Sequence, residues 1–196
     1  MKKWLPTAIV GSVVLLFGVF FMPRDNSDVI DDVVGTFKNT IAMFEEMNIE
    51  TNITIDEEVI YVEDLTITKT DDGSSYTSTV TELSDSLLDD ELYTTTTSTG
   101  NLDVDETIGL LGAVAALDKD VITNVELLPI GTDSYAARFT ILNKHIDQAF
   151  GQGMADKISG NIKFEAIMVE GIVERYTYTY TYNDGSITTV IGTFVK

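Results

Sequence analysis

Cysteine is absent from the 196 residues, histidine occurs once, and lysine and arginine together number 12 against 32 aspartates and glutamates. Each shortage excludes something. Without cysteine there is no disulfide framework, no thiol nucleophile and no lipid attachment through a cysteine behind a leader, and zinc lacks its soft ligands. A catalytic triad would have to use His145, yet no G-x-S-x-G elbow accompanies it. A lone histidine near a helix start reads as structural. No Gly-rich phosphate loop is present. The acidic clusters Asp71-Asp72, Asp89-Asp90-Glu91 and Asp103-Val104-Asp105-Glu106 lack the D-x-[DN]-x-[DN]-G loop of a calcium hand, and read as solvated turns and helix-start charges. The expectation is a non-enzyme with no catalytic residue, no metal and no cofactor.

Three of the scarce basic residues, Lys2, Lys3 and Arg24, flank an apolar run from Trp4 to Met22 that contains no charge. About 20 apolar residues span a bilayer core as a helix, and paired lysines ahead of the run stay cytoplasmic. The run closes on Val19-Phe20-Phe21-Met22-Pro23, too bulky for a small-residue cleavage site. Residues 1–24 are therefore expected to form an uncleaved transmembrane anchor, with residues 25–196 as one extracytoplasmic domain on a single-pass cell-membrane protein. That domain keeps nine Lys and Arg beside all 32 acids, a net charge of −23. Such a surface excludes nucleic acid as a partner and disfavours adsorption to anionic headgroups.

Periodicity divides the domain. Ile30, Val33, Val34, Phe37, Ile41, Phe44 and Met47 recur at helical spacing, which predicts an amphipathic helix over 27–47. From Ile49 the period becomes two, through Ile53 and Ile55 and then Val59, Tyr61, Leu65 and Ile67. Asp71-Asp72-Gly73 marks a hairpin, a third strand runs through Tyr76, Ser78 and Val80, and a fourth through Thr94 to Thr97, with residues 83–91 as a long acidic turn. Residues 103–118 read as a helix apolar almost all round, either a core element or a lid over an apolar cavity. Strands return at Val121 to Leu127 and Tyr135 to Ile141. Asn143 is placed to cap a short helix through Ile146 and Phe150, and Ser159-Gly160-Asn161 to turn the chain. A closing three-strand meander follows, with Ile162, Phe164, Ala166 and Met168 on one face and a turn at Asn183-Asp184-Gly185.

The most distinctive stretch lies in that meander, where Tyr176, Tyr178, Tyr180 and Tyr182 alternate with Thr177, Thr179 and Thr181. Four tyrosines on one strand face either rim an apolar pocket or stabilise an exposed sheet surface through cross-strand pairs. The threonine face is no dry core, so the tyrosines should cover a helix, a ligand or a protein partner.

The order of elements resembles the half-barrel fold of the LolA, LppX and LprG lipoprotein carriers and of secreted Gram-positive lipoproteins that share it. The likeness rests on residues 33–55, on Asp133-Ser134-Tyr135-Ala136-Ala137-Arg138-Phe139-Thr140-Ile141 leading to Asn143, and on residues 176–194 with their Asn-Asp-Gly turn. The lipobox cysteine of those relatives is missing, which argues against shuttling between membranes. The resemblance implies an α+β fold, a curled antiparallel sheet with two or three helices on its concave face around an apolar hollow. It implies a non-catalytic site for a lipid or acyl chain, lined by Ile108, Leu111 and Ala115 from the lid, Ile162, Phe164 and Met168 from the sheet, and Tyr178 and Tyr180 at the rim. The alternative is a structural or interaction subunit of a surface assembly, with no cavity.

Overall fold

The computed structural model describes residues 26–83 and 93–195. The expected anchor and most of the acidic turn lie outside these residues. Among the described residues no helix is long and apolar enough to cross a membrane.

Helix α1 (Asn26–Met43) is followed by strands β1 (Glu46–Ile55), β2 (Glu58–Thr70), β3 (Gly73–Leu83) and β4 (Tyr93–Leu102), then by helix α2 (Val104–Leu111) and a 3-10 turn. Strands β5 (Ile122–Gly131) and β6 (Ser134–Ile141) lead through a second 3-10 turn into helix α3 (Ile146–Phe150), and β7 (Ile158–Val169), β8 (Ile172–Tyr182) and β9 (Ile187–Val195) end the chain. The nine strands form one antiparallel sheet in the order β4-β3-β2-β1-β9-β8-β7-β6-β5. It consists of two meanders sewn together where β1 pairs with β9, Met47 opposite Phe194 and Ile49 opposite Gly192. Among the described residues no strand pairs with the outer side of β4 or of β5. The α+β class and the open, all-antiparallel sheet with three helices agree with the architecture that the resemblance implied.

Helix α1 buries Val29, Val33, Val34 and Phe37 on one stripe. Its backbone comes nearest to β5 and β8, three strands apart in the order, as a chord does across a curved sheet. It stops at Met43, short of the predicted 47. Beyond that point ladder bonds capture the chain: Glu45 N–H donates to Val195 O and Lys69 N–H to Glu45 O. Met47, fully buried, belongs to β1. Its position in the helical series is a coincidence of spacing, since a strand residue facing the core also satisfies the pattern.

Two more predicted boundaries moved. The helix expected over 103–118 opens with a capping box, Glu106 N–H donating to Asp103 Oδ1 and Asp103 N–H to Glu106 Oε2. It ends at Leu111 because Gly112 takes φ +53°, and a 3-10 turn follows. Its face is split: Leu111, Ala113, Val114 and Leu117 are buried, whereas Val104, Ile108 and Leu110 are exposed. The expected turn at Ser159-Gly160-Asn161 lies within β7 as a bulge, where pairing with β8 slips between Ser159 and Lys163. Asn143 fixes that bulge and caps no helix. Its side-chain amide donates to the carbonyls of Ala155, Ile158 and Gly160 at 3.3–3.4 Å, while its N–H donates to Asn161 Oδ1.

The core fills one side of the β5–β9 half and continues over β1 and β2 through Met47, Ile49, Leu65 and Ile67. Cross-strand register sets Phe139, Phe164 and Tyr178 in a row, and their rings stack at 4.9 and 4.5 Å between centroids. Phe37 from α1 stands edge-on to Phe139 at 6.0 Å, and Phe150 from α3 stands over Tyr178 and Tyr180. On the opposite face, threonine hydroxyls meet across strands at Thr179–Thr189, Thr79–Thr97 and Thr81–Thr95, 3.1–3.3 Å apart. The sheet is thus aromatic inside and hydroxylated outside.

Candidate functional site

The tyrosine ladder faces inward, not onto a surface. Tyr176 is 2 % exposed, and Tyr178, Tyr180 and Tyr182 are partly buried against the core. Their cover is the chain's own α1 and α3, through Phe37 and Phe150. Burial pushes the phenols of Tyr176, Tyr178 and Tyr180 well above their ordinary range, each reinforced by a neighbouring tyrosine hydroxyl, so these three stay neutral.

The eight residues proposed as pocket lining fall in one region with one exception. Leu111, Ile162, Phe164 and Met168 are buried in the common core, and Ala115, Tyr178 and Tyr180 pack against it. Ile108 is 48 % exposed, on the outer side of α2. None of the eight lines the cleft described next.

That cleft, of about 340 Å³, opens at the carboxyl end of α1. Thr40, Met43 and Phe44 form one wall, the β7–β8 hairpin supplies Val169, Glu170, Ile172, Val173 and Glu174, and β9 supplies Phe194 and Val195. Local chemistry explains its shape. Glu170 and Gly171 take φ +51° and +76°, the tight two-residue turn that matches strand twist, so the hairpin tip folds back beside the helix end. Thr40 ties the two together, its Oγ1 accepting from Val173 N–H and donating to Thr36 O, both at 2.8 Å. Phe44 and Phe194 pack at 5.9 Å beneath, and Lys69 Nζ lies over the Phe44 ring while donating to Ala42 O.

Chemically the cleft is an apolar trough with two carboxylates among its walls. Its single hydroxyl, on Thr40, is committed on both sides, and it contains neither histidine nor lysine. Among the described residues no three His, Cys, Asp or Glu side chains converge as a metal site would require. Its volume lies at the low end of ligand pockets, about 300–1,000 Å³. Sequence reasoning missed it because its walls join residues 40–44 to two segments more than a hundred residues further along the chain, 169–174 and 194–195. The only local signal was a helix ending in an exposed apolar side chain, Met43, where a polar terminus is usual.

No family model and no curated protein matches the sequence. In structure the chain is similar to LprF from Mycobacterium bovis, at 11 % identity and a TM-score of 0.44 over 87 % of this chain and 91 % of that one. It is also similar to a DUF1329 family protein from Desulfovibrio piger, at 10 % identity and a TM-score of 0.33 over 87 % and 92 %. Likenesses at this level say nothing about ligand or activity.

Proposed function

We propose that the chain is a non-catalytic binding domain for an apolar ligand, a lipid or acyl chain, held at the extracytoplasmic face of the cell membrane by residues 1–24 as a single transmembrane helix. The observation that carries the ligand is the open trough at the end of α1, walled by Met43, Phe44, Ile172, Val173, Phe194 and Val195. Apolar wall left open to water gains about 25 cal/mol per Å² when a hydrocarbon covers it. The anchor rests on the uncharged run from Trp4 to Met22 with Lys2 and Lys3 before it.

The test is native mass spectrometry of the full chain purified gently from its own membrane, with lipid extraction of the same sample. A stoichiometric apolar ligand, lost in Ile172→Glu while the circular dichroism spectrum is kept, is the expected result. An empty chain that takes up no added lipid or fatty acid saturably would remove the reading. The second reading, a structural or interaction module, is favoured by one observation. Leu111, Ile162, Phe164 and Met168, offered as pocket walls, are 0–6 % exposed within a close-packed core.

A further inference from the structure

The two open edges of the sheet are built differently. On β5 the edge is interrupted: Pro129 has no N–H to offer, pairing with β6 slips between Thr123 and Glu126 and again between Pro129 and Gly131, and Asn124 turns the backbone to φ +52°. Breaks of this kind, with a charge such as Glu126, stop one sheet from adding to another. On β4 no such device is present. Its pairing with β3 runs unbroken from Ser74 opposite Leu102 to Leu83 opposite Tyr93. Its sequence, Tyr-Thr-Thr-Thr-Thr-Ser-Thr-Gly-Asn-Leu, has no proline and no charged side chain, and every residue from Tyr93 to Thr99 is exposed. Among the described residues nothing pairs with the outer side of β4, whose ten residues at about 3.3 Å each offer a row of backbone groups some three nanometres long.

We infer that β4 is a docking edge, and that its occupant is the β4 edge of a second copy of this chain, paired antiparallel about a two-fold axis. Two features point to a second copy. A strand of threonines is already satisfied by a strand of threonines here, since β3 meets β4 through the Thr79–Thr97 and Thr81–Thr95 hydroxyl contacts, and β4 against itself repeats that chemistry. Like copies, each carrying −20 in all and −23 over residues 25–196, repel over most of their surface. The β3–β4 ribbon is where they can meet, because its two strands together carry one carboxylate, Glu82. A two-fold pairing sets β4 opposite itself and so brings no carboxylate against a carboxylate along the strand. Asp89, Asp90 and Glu91 precede the strand and Asp103 follows it, so the repulsion that remains sits at its ends and is screened by salt. Association should therefore strengthen as salt rises, the opposite of an ion-paired interface.

The absence of cysteine makes the test clean. Full chains in detergent, each with one of Thr95→Cys, Thr96→Cys, Thr97→Cys, Ser98→Cys or Thr99→Cys, are oxidised beside Glu126→Cys and Ile130→Cys as β5 controls. In an antiparallel two-fold pair only the residue at the axis faces its own copy. Disulfide-linked dimer should therefore peak at one β4 position, fall several-fold two residues to either side, stay at background on β5, and grow with NaCl. Sedimentation of the unmodified chain should show the same salt-promoted dimer, and Thr97→Glu should return it to monomer with its circular dichroism unchanged. Equal yields at β4 and β5, or a monomer at every salt concentration, would overturn the inference. A monomer that pairs only with some other protein would overturn it equally.

Discussion

Two tyrosines in this sheet lie across glycines. Tyr176 on β8 faces Gly192 on β9, and Tyr76 on β3 faces Gly100 on β4. In each pair the ring occupies the space where a Cβ would stand. Glycine weakens a strand through backbone entropy, and an aromatic ring laid over it recovers contact. Gly192→Ala should overpack the ring and cost about 1–3 kcal/mol in urea unfolding, with little change in secondary structure. Asp184 illustrates pH dependence at the same scale. It accepts from Ser186 Oγ at 2.7 Å and Ser186 N–H at 2.9 Å, which hold its carboxyl below the ordinary 3.8. A lowered folded-state value means the contribution is present at neutral pH and is lost as pH falls through that value. The urea midpoints of the parent and Asp184→Asn should therefore differ at about pH 6 and converge below about pH 4.

Among the elements, the junction of α1 with β8 has the most at stake. Thr40 is 1 % exposed, and its hydroxyl is the partner of the buried Val173 N–H, 133 residues away. Thr40→Val keeps the shape but strands that donor, which should cost about 1–3 kcal/mol. Thr36→Val, whose hydroxyl bonds only its own helix at Asp32 O, should be within about 0.5 kcal/mol of the parent. The pair of urea titrations separates tertiary anchoring from helix chemistry. Some elements were readable in advance because their signal is local: the hairpin at Asp71-Asp72-Gly73, the turn at Asn183-Asp184-Gly185, and the alternation of Phe164, Ala166 and Met168. The β1–β2 turn carried no such signal. Asp56 and Glu57 both adopt positive φ, 51° and 69°, with no glycine to announce it, because the paired strands on either side impose the turn.

At the scale of the molecule, charge and aromatic packing oppose one another. Stacked rings and aliphatic side chains hold the β5–β9 half together, while a net charge of −20 strains every compact state through self-repulsion. Only two ion pairs join described side chains, Lys38–Asp118 at 3.4 Å and Arg138–Glu165 at 2.7 Å, and all four partners are about half exposed. Screening should relieve more repulsion than it costs in attraction. The urea midpoint should therefore rise steadily between low and molar NaCl, and a fall would show that these pairs matter more than the net charge.

Composition and periodicity by themselves determined the strand-rich order of elements, the surplus of acid and the lack of any thiol. All of these are properties of single residues or of neighbours along the chain. Tertiary structure decided where the helices stop, which face of the tyrosine strand is dry, that Ile108 points outward while Leu111 points in, and that the open trough lies at the end of α1. Each of those outcomes depends on which distant strand supplies a hydrogen bond or a ring: Val195 for Glu45, Val173 for Thr40, Phe150 for Tyr178. A local pattern records which residues prefer burial, but the partner that buries them is chosen only when the whole sheet has formed.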